Sequence, residues 1–299
     1  VLTDLDDDGD LDLYVANDTT PNDLYENRPT DDQLGFRLAE VGVEAGVGDD
    51  GAGMGVASGD GNGDGRSDLV VTNQLRERHG AWWNVSEGDG LSFEDARQSM
   101  GVPDLGDGST GWGAIWADVD LDADLDLFFA HGAIPVRDLV GDAEPALLLE
   151  NQSEAGVGVE FTDASATVGL DRLGPLLARG AAAADYDNDG DLDIAIGTIG
   201  GDLVLLRNQG AGGNWLEVAT TTPVPGTRVT DTLVDGTELT REIHAGSSDL
   251  SSEDPRAHFG LGSADRVGSV SVEWPDGSTA RYDDVEVDQI LQVAPGDGE

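Results

Sequence analysis

The stretch Asp4-Leu-Asp-Asp-Asp-Gly-Asp-Leu-Asp12 decides the fold. Aspartates occupy positions 1, 3, 5, 7 and 9 of a nine-residue run, Gly9 sits at position 6, and the run leads straight into Leu11-Asp-Leu-Tyr-Val15. The pattern returns as Asp60-Gly-Asn-Gly-Asp-Gly-Arg-Ser-Asp68, as Asp118-Val-Asp-Leu-Asp-Ala-Asp-Leu-Asp126 and as Asp185-Tyr-Asp-Asn-Asp-Gly-Asp-Leu-Asp193. Each later copy follows a small-residue segment (Gly53-Met-Gly-Val-Ala, Gly111-Trp-Gly-Ala-Ile, Arg179-Gly-Ala-Ala-Ala), and all four precede a β-rich run. Further short runs follow, among them Asp23-Leu-Tyr-Glu-Asn, Ala81-Trp-Trp-Asn, Ala146-Leu-Leu-Leu-Glu-Asn and Asp202-Leu-Val-Leu-Leu-Arg-Asn. Short strands separated by turn signals, in units of about 60 residues, are the pattern of propeller blades. No segment holds a 3.6-residue period, which argues against a helical solenoid. The expected fold is all-β, with four blade repeats over residues 1–213 and a small β-sandwich-like domain with a short acidic tail over 214–299.

Aspartates at alternate positions of a loop that wraps an ion point inward, position 7 offers its backbone carbonyl, and Gly at position 6 permits the sharp turn. Such a loop supplies hard oxygens, which suit Ca²⁺ better than Mg²⁺ or softer metals. The expected ligand positions are Asp4, Asp6, Asp8, Asp10 and Asp12; Asp60, Asn62, Asp64, Arg66 and Asp68; Asp118, Asp120, Asp122, Asp124 and Asp126; and Asp185, Asp187, Asp189, Asp191 and Asp193, making up to four calcium sites. These are not EF-hands, since position 12 is Val15, Val71, Phe129 or Ile196 rather than Glu. The third loop is expected to be the weak one, since Ala123 replaces its position-6 glycine and should strain or reshape that turn. Asn62 makes the second loop a weaker site than the first and fourth.

The 299 residues carry 61 acidic and 15 basic side chains, a formal charge of −46, and every basic residue is Arg. A surface this negative repels phosphate backbones and anionic lipid, excluding nucleic-acid binding and direct membrane insertion. With no Cys there is no disulfide framework, thiolate zinc site or Cys nucleophile. Outside the four loops the remaining acids still far outnumber the arginines, which points to a salt-adapted surface whose self-repulsion is relieved by bound cations or by high ionic strength. The chain opens at Val1, inside a repeat and without a signal peptide. It therefore reads as a piece whose N-terminal propeller blades lie outside it.

The repeats resemble the FG-GAP (VCBS-like) repeats of seven-bladed propellers such as those of integrin α-subunits. His258-Phe-Gly-Leu-Gly262, Val270-Ser-Val-Glu-Trp-Pro-Asp-Gly277 and Val287-Asp-Gln-Ile-Leu resemble the ASPIC/UnbV domain that follows such repeats in the cartilage acidic protein family and its prokaryotic relatives. The resemblance implies a secreted or cell-surface calcium-binding protein concerned with adhesion or with binding a protein or glycan ligand. It carries over the calcium loops and no catalytic residue. An enzyme on the same scaffold, a polysaccharide lyase or a natural-product cyclising enzyme, is the alternative. A deep pocket holding Arg179, His131 or a carboxylate with a shifted pKa would favour it.

Five residues beyond each loop stand Asn17, Asn73, His131 and Thr198, and Met54, Trp112 and Arg179 begin the innermost strands. Asn17, Asn73, Trp112, His131 and Arg179 are candidate ligand contacts at the opposite mouth, with strand-end hydrogen bonding and blade packing as the simpler role. Trp82, Trp83 and Trp116 are expected in the core, and His258 and the Trp-Pro-Asp-Gly turn in structural roles. The four histidines show no zinc-hydrolase spacing.

Overall fold

A computed structural model describes residues 1–88, 90–153, 158–210 and 212–296; the end of the acidic tail lies outside them. The chain is all-β, with one short helix, Gly42–Ala45, and one 3₁₀ turn, Leu170–Leu173. Four antiparallel meander sheets follow one another. The first contains β1 (Leu2–Thr3), β2 (Asp12–Val15), β3 (Asp23–Pro29) and β4 (Phe36–Glu40); the second β5 (Val56–Gly59), β6 (Asp68–Val71), β7 (Gly80–Asn84) and β8 (Phe93–Asp95). The third contains β9 (Gly111–Ala117), β10 (Asp126–His131), β11 (Leu147–Asn151) and β12 (Phe161–Asp163), and the fourth has three strands, β13 (Ala178–Ala184), β14 (Asp193–Thr198) and β15 (Val204–Leu206). Each acidic loop joins the first and second strands of its sheet, as the repeat pattern predicts.

The second strands are apolar because they are covered on both faces. In β10, Leu127 and Phe129 pack with Val70 and Trp116 towards the second sheet, whereas Phe128 and Ala130 pack with Ala181 and Ile196 towards the fourth. In β6, Leu69 and Val71 join Tyr14 and Leu24 of the first sheet, while Val70 faces the third. This period-2 alternation lets one strand glue two neighbours. Trp82 and Trp116 are buried in these cores, and half-buried Trp83 donates its indole N–H to Ser99 Oγ at 2.8 Å.

The C-terminal domain is a sandwich. One sheet contains β16 (Asn214–Thr220), flanked antiparallel by β19 (Ala257–Gly262) and parallel by β22 (Gln289–Val293). The other has the order β18 (Glu238–Ile243), β17 (Thr227–Leu233), β20 (Arg266–Glu273) and β21 (Thr279–Glu286). Leu216, Val218 and Phe259 meet Val229, Val270 and Val272 in the core between them. Trp274 is buried at the end of β20, and Asp276 and Gly277 form the turn beyond it, with Gly277 N–H donating to Trp274 O at 2.8 Å.

The sequence pattern does not indicate where this domain sits. It covers the acidic-loop side of the sheets, and its 245–253 segment runs along their innermost strands. Ser248 exchanges backbone hydrogen bonds with Val56 of β5 at 2.7 and 3.1 Å, and Asp254 N–H donates to Ala183 O of β13 at 3.2 Å. The approach is close enough that a Cβ on Gly180 would lie 2.3 Å from both Asp249 O and Ser251 Oγ. Gly180→Ala is therefore expected to lower stability by about 1–3 kcal/mol and to raise proteolytic cleavage within 245–253. Denaturant unfolding and limited proteolysis measure both.

Candidate metal loops and their clamps

The four loops share one hydrogen-bond scheme. The position-1 carboxylate accepts the N–H groups of positions 5 and 6: Asp4 from Asp8 and Gly9 (3.2 and 3.0 Å), Asp60 from Asp64 and Gly65 (3.0 and 2.9 Å), Asp118 from Asp122 and Ala123 (3.2 and 3.0 Å), and Asp185 from Asp189 and Gly190 (3.1 and 2.8 Å). The position-5 carboxylate accepts the N–H of position 7 at 2.8–3.3 Å. Wrapping this tightly puts position 4 (Asp7, Gly63, Leu121, Asn188) and position 6 (Gly9, Gly65, Ala123, Gly190) at positive φ. Ala123 keeps the turn of the other loops at φ 88° and bears the strain, as its sequence predicts.

Carboxylate oxygens converge within 4.8 Å of one another in three loops: Asp4, Asp6 and Asp8; Asp118, Asp120 and Asp122; Asp185, Asp187 and Asp193. The position-7 side chains Asp10, Arg66, Asp124 and Asp191 lie outside these groups. So do Asp12, Asp68 and Asp126. Each spends one oxygen on the N–H of position 2 (Leu5, Gly61, Val119; 2.9–3.1 Å) and the other on the N–H of a distant asparagine (Asn27, Asn84, Asn151; 2.7–2.8 Å). Asp193 accepts likewise from Asn208 N–H at 2.7 Å. In the second loop Asn62 donates to Asp64 at 3.3 Å, and Arg66 pairs with Asp64 at 2.5 Å.

These groups fit a metal ion on two grounds. Their donors are all oxygen. Asp6 Oδ1, Asp120 Oδ1 and Asp193 Oδ2 are also shut off from solvent with no hydrogen-bond partner among the described residues, a costly state for a carboxylate that a bound cation relieves. Burial, together with repulsion from neighbouring carboxylates, pushes Asp6 and Asp120 up to about 6.

The asparagines are the functional residues that sequence reasoning passed over. Asn84 Nδ2 reaches Leu5 O in the first loop (2.7 Å) and Ser67 O in its own (3.2 Å). Asn151 reaches Gly61 O in the second and Leu125 O in the third (both 3.2 Å), and Asn208 reaches Val119 O in the third at 2.7 Å. Each one ties a loop to the next blade. The signal was present, since all four repeats place Asn at the end of their third run.

The C-terminal domain holds the loops from the other side. Arg228 pairs with Asp7 and donates to Gly65 O. Arg256 donates to Asp185 O and Asn188 Oδ1 (2.6 and 2.7 Å) and pairs with Glu217 at 2.6 Å. His258 is buried and donates Nε2–H to Gly190 O at 2.8 Å. Arg241, enclosed by the domain junction, lends its positive charge to Asp60, Asp118 and Asp124. Between these arms lies a polar cavity of about 110 Å³ lined by Glu242, His244 and Glu253 as well as Arg241 and Arg256. Burial raises Glu242 to about 8 and Glu253 to about 7 and lowers His244 to about 4.

Of the five candidate ligand contacts, Arg179 and Trp112 stack, and His79 links Asn73 to His131. Arg179 lies 3.9 Å over the Trp112 ring, and both donate to Gly132 O, at 3.2 and 2.7 Å. Asn17 donates to Pro21 O and Asp23, and Asn73 to Asp49 and Arg78 O, each near its own strand end. His131 is buried against His79. Its Nδ1 faces Pro145 O at 2.8 Å, so Nδ1 carries the proton and Nε2 accepts. His79 Nδ1 accepts Asn73 N–H at 3.0 Å, which leaves Nε2–H directed at His131 Nε2 across 3.5 Å. The two rings form a neutral pair, and burial lowers their pKa values to about 3 and about 4.

Two substitutions test the loop architecture. Asn151→Ala strands the carbonyls of Gly61 and Leu125 and should cost about 2 kcal/mol in denaturant unfolding. Ala123→Gly removes the left-handed strain and should gain about 1 kcal/mol in the same measurement.

Comparison with known proteins agrees with this geometry. Residues 218–299 match the ASPIC and UnbV family, and residues 4–71 match the FG-GAP-like repeat. Cartilage acidic protein 1 of Homo sapiens is 30% identical over 94% of this chain, that of Mus musculus 29% over 94%, and that of Xenopus tropicalis 30% over 95%. The chain spans 42% of the length of each of these relatives. The chain thus carries a stretch similar to the FG-GAP-like repeat followed by one similar to the ASPIC and UnbV domain.

Proposed function

We propose that this protein is an extracellular, calcium-dependent binding module, in which ions stiffen a β-propeller scaffold that presents its exposed surface to a protein or glycan ligand. The observation that carries this reading is the set of partnerless buried oxygens, Asp6 Oδ1, Asp120 Oδ1 and Asp193 Oδ2, inside converging carboxylates. Oxygen-only donors in flexible loops favour Ca²⁺ over Mg²⁺, which holds its waters and demands octahedral geometry. The extracellular setting rests on the FG-GAP-like repeats and on the likeness to cartilage acidic protein 1. No described helix is long and apolar enough to cross a membrane.

A binding role is favoured over an enzymatic one because Glu242 and Glu253, whose pKa values burial raises, line a cavity of only about 110 Å³, well below the roughly 300–1,000 Å³ of ordinary small-molecule sites. Neither lines the larger clefts of about 510 and 570 Å³. Arg179 and His131 are not among the residues lining the polar cavity.

Thermal unfolding of the chelated protein against free calcium tests the reading, at low and at molar salt. The midpoint should rise and saturate by roughly millimolar calcium, as in extracellular modules, with no equivalent step in magnesium. A midpoint that follows salt alone would mean that the loops act as a salt-adapted surface.

A further inference from the structure

The four loops are alike in backbone and unlike in what faces their carboxylates. The residue just before each clamping asparagine is Glu26, Trp83, Glu150 or Arg207. In the first and third loops it is an acid, and its charge acts on the position-3 carboxylate: Glu26 on Asp6 and Glu150 on Asp120. Arg28 shares the charge of Glu26 at 2.7 Å, while Glu150 accepts the neutral amide of Gln152. Asp6 and Asp120 are also the position-3 residues with a buried, partnerless oxygen, whereas in the fourth loop that oxygen is Oδ2 of position-9 Asp193.

In the fourth loop the same strand position is a cation. Arg207 Nη2 lies 2.6 Å from Asp187 Oδ2 and 3.1 Å from Asp189 Oδ2. Asp187 belongs to the converging group with Asp185 and Asp193. The C-terminal domain satisfies this loop further through Arg256 and His258. The second loop follows the same principle by another route, with neutral Asn62 at position 3 and Arg66 on Asp64.

We infer that Arg207 is a built-in counter-cation that sets the ion affinity of the fourth loop, so that divalent cations fill the first and third loops tightly and the second and fourth only weakly. This rests on the calcium reading above, and it exchanges the third and fourth loops in the ranking that the loop sequences suggest by themselves. An exposed arginine–aspartate pair adds little to folding stability. A unit positive charge about 3 Å from a ligating oxygen nevertheless opposes a dication directly. Arg207 is half-exposed and can swing away, so it weakens the site without abolishing it.

The test is a calcium titration of the whole chelated chain, by isothermal calorimetry with ion counting by native mass spectrometry. Two tight ions are expected in the unaltered protein. Asp120→Asn should lose one of them, and Asp187→Asn should lose neither. Arg207→Gln should gain an ion, with affinity at the fourth loop rising at least about tenfold as the opposing charge is removed. Loss of a tight ion in Asp187→Asn would overturn the inference even if Arg207→Gln folds poorly, as would four equivalent ions or an unchanged titration in Arg207→Gln. Absence of binding at every loop would instead overturn the calcium reading on which the inference stands.

Discussion

The structure depends on like-charged carboxylates held together at close range. A nine-residue turn that brings three aspartates within 4.8 Å would open under its own repulsion without compensation. The chain compensates in layers. Backbone N–H groups of positions 5 and 6 point at the position-1 carboxylate, and the position-9 carboxylate closes the base of the turn onto position 2 and an asparagine. What these donors cannot reach, the buried oxygens of Asp6, Asp120 and Asp193, is where the loops could hold a cation.

The C-terminal domain is part of the same electrostatic solution. It turns Arg228, Arg241 and Arg256 towards the loops, three of the 15 arginines in a chain of net charge −46. A guanidinium suits this role because its planar fork serves several acceptors and stays charged when buried. The domain and the blades therefore share one polar junction, which its 245–253 segment extends along the inner strands.

Repetition with local variation explains how four nearly identical loops differ. Backbone geometry is copied so closely that Ala123 accepts φ 88° where the others use glycine. Ligand chemistry is varied at positions that hardly affect the fold, including position 3 and the residue before the clamping asparagine. One architecture can thus carry loops of graded charge.

The all-β class, the four repeats, the loop positions and the sandwich strands were legible in the sequence, because each rests on local rules: period-2 burial, turn glycines, and carboxylates at fixed spacing. The strain at Ala123 was legible for the same reason, since a missing glycine at a positive-φ position is a local fact. The role of Asn84, Asn151 and Asn208 was not, because each bonds to a carbonyl 79, 90 or 89 residues away. Nor was the pairing of His79 with His131, 52 residues apart, or the domain's seat over the acidic loops. Arg207 shows the division most clearly. By sequence it is one more surface arginine; only the register of β14 against β15 sets it over Asp187. Local chemistry determined what each loop can hold, and long-range packing decided what already stands beside it.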